Sequence, residues 1–306
     1  MKNIPFRSHY MIFRRRLRPR LKELALTFYV IRKSWLAVVG AVIVFFFIFI
    51  TIFGNYLVLH DPYEVDLRSR LSPPSYKYLF GTDEMGRCVL SRMLAGARYS
   101  LEAGIFVLAI AAPVGLILGG IAGLYGGWLD EVIMRFTDIF LAFPYLILAM
   151  AISAALGPSL KNCMIALSLV YWPVYARLIR GQALSVREKA FVDAAKAMGV
   201  SRFRIMSKHI LPNTIAPVIV ALTLDMGTII ISTAALSFLG FGAQPPLPEW
   251  GCMISEGRLF VFQAWWTPIF PGLAIVLVVL GFNFMGDGIR DALDPKLRRT
   301  IEVEKK

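Results

Sequence analysis

Residues 34–60 contain no acid, no Lys and no Arg, and residues 35–53 are almost wholly apolar. About 20 such residues cross the roughly 30 Å hydrocarbon layer as a helix. A helix is also one of the few structures that satisfies its own backbone polar groups where water is absent. This one run therefore commits the chain to a membrane. A cleaved signal peptide would have a shorter apolar core and a small-residue cleavage site, so the span is expected to stay attached. Five more apolar runs follow, at about 100–124, 134–156, 163–178, 213–239 and 266–285. The chain is 57% hydrophobic, against roughly 45–50% for soluble domains. The expected fold is an all-α integral membrane protein with six transmembrane helices.

The polar residues divide the chain. Residues 1–33 are basic, and Leu21, Leu24, Phe28 and Ile31 make an apolar stripe suited to an amphipathic helix on the membrane surface. The first span is 34–60 and a polar loop is 61–98. Residues 99–290 hold the other five spans, interrupted by a polar segment at 187–211, and 291–306 form a charged tail. The loop 241–258 carries three prolines and cannot be one continuous helix.

Net charge is +13. The cluster Arg14-Arg15-Arg16 would suit nucleic acid in a soluble chain, but in a membrane protein an excess of Lys and Arg marks the cytoplasmic side. With both termini inside, that side collects the N-terminal cluster, Arg135, residues 177–208 and the tail. The expectation is no nucleic-acid partner, membrane lipid around the spans, and a polar segment 187–211 that faces the cytoplasm.

That segment reads as two short helices about a break. Phe191, Ala194, Ala195 and Met198 fall on one helical face. Gly199 suits a left-handed C-cap, and Ser201 can cap a second helix whose apolar side is Phe203, Met206 and Ile210. Pro212 suits the first turn of the next span. Two readings stand: a knob with small residues on its shoulder that inserts into another protein, or an amphipathic loop lying on the membrane.

Cys88, Cys163 and Cys252 form no CxxC, and the three His are scattered, so no metal site is expected. No Walker phosphate loop occurs. No cofactor is expected in this chain, and any energy from ATP would have to come from a partner.

Asp193-Ala194-Ala195 followed by Gly199 and Leu211-Pro212 resembles the coupling-loop motif of ABC importer permeases, with Asp193 where that family has Glu. GTDEMGRCVLSRMLAGAR, SFLGFGAQPPLPEWG and GDGIRDALDP resemble one subfamily, the second permease subunit of dipeptide, oligopeptide and nickel importers. The likeness runs over nearly all of 38–297. It implies a type I ABC importer transmembrane domain with no catalytic residues. It implies a homologous second permease, two cytoplasmic ATPase subunits and an extracytoplasmic substrate-binding protein, in a prokaryotic inner membrane. Glu188, Phe191, Asp193, Ala194, Ala195, Met198, Gly199 and Arg202 would then couple to the ATPase. Peptides are the first cargo implied, with nickel, oligosaccharides and other small solutes as alternatives. An ATP-independent secondary transporter is the alternative of another class, and it would need paired charges at membrane depth. The family usually reads Gly-Arg-Asp where this chain has Gly86-Arg87-Cys88, so an acid's role there is lost.

Four further expectations concern single residues. Asp225 lies inside the fifth span, where a carboxylate is costly; it either lines the translocation path or is a paired residue with a packing role. Asp138 pairs with Arg135 or bonds to a neighbouring helix end. Asp83, Glu84, Arg87 and Trp250 either contact the binding protein or serve turns and packing. Cys88 and Cys252 fall in outer loops and are candidates for a disulfide.

Overall fold

The computed structural model describes residues 32–293, without the side chains of Lys196, Arg202, Phe203, Ser207, His209 and Asn213. The amphipathic stripe expected at Leu21–Ile31, and the tail from 294 onward, lie outside the described residues.

The first span is α1, Trp35–Leu57. Ser34 opens it, its hydroxyl accepting from the Ala37 amide at 3.4 Å. Ala37, Gly40, Val44, Phe47, Ile50 and Gly54 are buried at helical spacing, while Trp35, Val42, Phe45 and Ile52 point away from the chain. One stripe packs on the rest of the chain and the remainder faces outward.

The second helix, α2, spans Val89–Tyr125 and has 37 residues. At 1.5 Å per residue it is about 55 Å long, so it projects beyond the hydrocarbon layer. The sequence pattern placed its start near 100. The extra turns at its beginning contain Arg92, whose charge hides its helical character from a hydropathy reading.

The third span departs from expectation. One helix was expected over 134–156; the structure has α3, Gly127–Leu141, and α4, Tyr145–Leu156, bent by 86°. Two causes act together. Pro144 disfavours the helical region for Phe143 before it. In addition, α3 carries Asp130, Glu131, Arg135 and Asp138, and two of these reach across to the next helix.

That helix is α5, Leu160–Arg187. Arg180 grips Asp130 with two bonds, at 2.5 and 2.7 Å, and Arg177 bonds Asp138 at 2.6 Å. Asp138 thus takes its partner from a neighbouring helix, and Arg135 lies instead 3.8 Å from Glu131.

α2 and α5 form the most intimate helix pair. Gly115, Gly119 and Gly123 recur every four residues along α2 and admit the α5 backbone, an arrangement that membrane helices use because small residues allow close approach. A Cβ on Gly119 would lie 2.2 Å from the Ala176 carbonyl oxygen. Gly119→Val is therefore expected to push α2 and α5 apart, at a cost near the upper end of overpacking, about 3 kcal/mol. The measurement is the yield and melting temperature of purified protein, both falling relative to wild type.

The polar segment follows as α6, Ala190–Ala197, and α7, Arg202–Ile205. A π-helical turn, Met206–Ile210, leads into α8, Leu211–Phe238, which has Pro212 in its first turn. α9, Trp250–Gly257, is a short helix in the segment between α8 and the last helix. α10, Trp266–Leu293, closes the bundle. Among the described residues five helices are long and apolar enough to cross a membrane, and six spans result if α3 and α4 count as one.

Three packed centres follow. Phe47, Leu101, Trp250, Met253, Trp266 and Phe282 join α1, α2, α9 and α10. Val107, Ala149, Leu167, Tyr175, Ile229 and Leu236 join α2, α4, α5 and α8. Leu124, Ala183, Val186, Val192, Ala195, Ile205 and Ile210 seat the elbow, α6 with α7, on the ends of α2 and α5.

Candidate functional site

The elbow is built around Gly199, which has φ +74 and open space about its Cβ position. The left-handed turn lets the Val200 amide bond back to the Ala195 carbonyl at 3.1 Å, which satisfies a helix-end oxygen. Arg187 ties the elbow's root to α2, donating to the Gly123 carbonyl at 3.4 Å.

The face of α6 differs from the periodicity reading. Val192 and Ala195 are buried, whereas Phe191 is 43% exposed and Met198 76% exposed. Ala194 is exposed too. The expected single apolar face is therefore split. Val192, absent from the sequence reading, and Ala195 anchor α6 to the bundle, while Phe191, Ala194 and Met198 present an apolar strip outward. Glu188 and Asp193 flank the strip, both exposed. In the second helix Ile205 and Ile210 are buried with Met206 against them; the side chains of Arg202 and Phe203 lie outside the described residues.

At the opposite end of the bundle the loop between α1 and α2 folds about Asp83. Gly81 and Gly86 take φ +72 and +75, a region open to glycine. Between them Asp83 Oδ1 accepts from the amides of Met85 and Arg87, both at 2.9 Å. Its Oδ2 accepts from Arg87 Nε at 2.7 Å and from Arg92 Nη1. Arg92 Nη2 then reaches Glu256 on α9 at 2.7 Å, and Arg87 Nη2 reaches Glu256 at 3.1 Å and Glu84 at 3.0 Å. Arg92 is 1% exposed. Five charged side chains thus form one buried knot that joins the loop between α1 and α2, α2 itself and α9. Burial raises the Glu84 carboxyl above its usual range, with Asp83 adding to the effect. For Arg87, burial opposes the charge, but Asp83 and Glu256 outweigh it and hold the guanidinium above its ordinary value.

Of the two readings of Asp83, Glu84, Arg87 and Trp250, these contacts fit the second, turns and packing. Asp83 and Arg87 are buried among their ion-pair partners. Trp250 is buried in the first packed centre and donates from Nε1 to the Met93 carbonyl at 3.1 Å. Glu84 lies mostly covered beside Arg87. All four serve the chain's own interior. Arg92 and Glu256 were not singled out from sequence. Nothing local marks them as a pair, because they lie 164 residues apart.

The expected disulfide is not formed. Cys88, Cys163 and Cys252 are free and buried, and burial with Glu256 nearby pushes the Cys252 thiol up to about 12. Unfolded protein is expected to show three reactive thiols with or without prior reduction, and few or none before unfolding. Cys88 is the N-cap of α2 and makes no side-chain cap bond. The family's usual acid would stand at a place where a carboxylate can accept from the first-turn amides, a contact that this chain forgoes.

Asp225 lies midway along α8, half-buried. Tyr175 of α5 donates its hydroxyl to Asp225 Oδ2 at 2.6 Å. Among the described residues no group of three or more His, Cys, Asp or Glu could hold a metal.

Residues 115–299 match the model of the family described as "Binding-protein-dependent transport system inner membrane component". Residues 24–74 match a second model, the N-terminal TM domain of oligopeptide transport permease C. The chain belongs to this family of inner-membrane transport components. The permease is 50% identical to the dipeptide transport system permease protein DppC of Alkalihalophilus pseudofirmus over 268 residues, 88% of each chain. It is 49% identical to the probable D,D-dipeptide transport system permease protein DdpC of Escherichia coli K12, covering 88% of this chain and 90% of that one. It is 43% identical to the glutathione transport system permease protein GsiD of Escherichia coli, covering 87% and 88%. Among solved structures it resembles a chain of the inward-facing MetNI methionine ABC transporter. The TM-score is 0.53 at 20% identity, with 66% of this chain and 96% of that one covered. That likeness shows a shared fold, the transmembrane fold of ABC importers. The permease is thus a multi-pass protein of the bacterial inner membrane.

Proposed function

We propose that this permease forms, with a homologous second permease, the translocation path of an ATP-driven importer for di- and oligopeptides. Both termini lie in the cytoplasm, and two ATPase subunits that bind ATP and Mg grip the elbow from below. A binding protein delivers peptide from the outside. The chain itself performs no covalent chemistry. The observation that carries this reading is the elbow: Phe191, Ala194 and Met198 stand outward on a helix whose other side is fixed to α2 and α5. A strip exposed in this way meets a partner's cleft, and a backed helix transmits a push where a free loop would absorb it. The dipeptide names carried by relatives at about half identity support peptide as the cargo.

ATP binding would draw the ATPase pair together, and the elbows would follow. The permease pair would then open outward to receive cargo. The test is purification of a tagged copy from its native membrane, followed by reconstitution with the binding protein. A second permease, nucleotide-hydrolysing subunits and ATP-dependent uptake of alanyl-alanine are expected. A purified assembly with no nucleotide hydrolase, or uptake that proceeds without ATP, would overturn the reading.

A further inference from the structure

We infer that Asp225, oriented by Tyr175, is a binding residue for the positively charged amino end of a peptide in the translocation path. This rests on the peptide reading above and adds to it a contact within this chain.

The argument begins with cost. A carboxylate at membrane depth is tolerated against protein, water or a cation, and avoids lipid. Asp225 is residue 15 of the 28 in α8, so about 20 Å of helix separates it from either end. No Lys or Arg pairs with it among the described residues, and its bond to Tyr175 engages Oδ2 alone. Oδ1 is not among the buried side-chain atoms that lack a partner, and the residue is half-buried. One oxygen is therefore held while the other opens on the surface of the chain.

The surroundings give that opening a direction. Thr228 follows at i+3, which puts it beside Asp225 on the helix surface, and it is exposed. Tyr175 is fully buried, wedged against Gly115 of α2, so its hydroxyl is a fixed donor. The pair thus presents a preset acceptor with no counter-ion among the described residues, beside a hydroxyl-bearing neighbour, at half depth. A primary ammonium supplies the missing positive charge and the N–H donors. Free peptides carry one at their amino end; a neutral solute does not. Tyr175 is a positioning residue, since it acts by holding the carboxylate.

Asn at 225 can still accept the Tyr175 bond while carrying no charge, so Asp225→Asn separates the two roles. In proteoliposomes with saturating binding protein and alanyl-alanine, Asp225→Asn is expected to lower the peptide moved per ATP hydrolysed by about tenfold, with the KM for loaded binding protein unchanged. Asp225→Glu should restore most of the loss, and Tyr175→Phe should fall between the two. If Asp225→Asn transports as wild type, the inference fails, and the Tyr175 contact is a packing bond. If the wild-type complex takes up no alanyl-alanine, the peptide reading fails first. Should Asp225→Asn not assemble, the wild-type complex decides. Carbodiimide modification of Asp225, read by mass spectrometry, is expected to slow when alanyl-alanine and binding protein are added with a non-hydrolysable ATP analogue. An unchanged rate overturns the inference.

Discussion

Ala194→Arg is expected to stop ATP-driven uptake while leaving the permease folded. Ala194 is exposed on the outward strip of α6 between Phe191 and Met198, so the longer side chain can extend away from the elbow's buried seat. Its cost falls wholly on the proposed docking. A small residue at the centre of a contact lets two backbones approach, and a guanidinium there must either be buried without a partner or hold the surfaces apart. Residues at the centre of an interface carry about 2–4 kcal/mol each, which at 1.4 kcal/mol per decade weakens association about 30- to 1000-fold. Nucleotide-hydrolysing subunits should be lost from the purified assembly, and uptake should fall with them. Melting temperature and helix content of the isolated permease should match wild type. Val192→Asp is the contrasting case. It places a charge in the elbow's buried seat against Ala195 and Ile205, and it should lower stability as well as uptake. If Ala194→Arg keeps its ATPase partners and transports normally, the elbow is not the point of grip.

Arg92→Met is expected to give the largest loss of stability of any single change in the outer half. Arg92 bonds Asp83 and Glu256 and is almost wholly enclosed. Met keeps much of the stem's packing and removes the charge. The knot then holds three carboxylates, Asp83, Glu84 and Glu256, against Arg87 alone. Removing one partner of a buried pair costs about 3–5 kcal/mol, because the remaining charge stays buried. The drop in melting temperature should depend little on salt, since enclosed pairs are screened far less than surface ones. Adding Glu256→Gln to Arg92→Met should recover part of the loss. The double change removes both members of one pair, and residues in direct contact do not contribute additively. A loss no larger than that of an ordinary surface substitution would mean that solvent reaches the knot.

The membrane class and the elbow were legible for the same reason. Both depend on neighbours close in sequence: a run without charge for α1, and a Gly after an amphipathic octet for α6. Gly199 takes the left-handed turn that its position suggested, and Pro212 lies in the first turn of α8 as its chemistry permits. Legibility failed where distant groups meet. The third span read as one helix because its apolar residues run on through Phe143 and Pro144. Pro144 is a local cause of the bend, but Asp130 and Asp138 also reach Arg180 and Arg177, about 40 to 50 residues further along. The start of α2 was hidden because the charges of Arg92 and Arg98 interrupt its apolar run.

Alone, the order of residues determined that this chain crosses a membrane several times, and that a polar elbow interrupts the crossings. Hydrocarbon length and helical self-sufficiency leave little freedom there. Tertiary structure decided which charges turn inward and which side of α6 faces out. It also decided that three cysteines remain thiols and that Asp225 meets a phenol. Each of those outcomes depends on groups brought together by packing, and helical periodicity describes one helix without naming its neighbours.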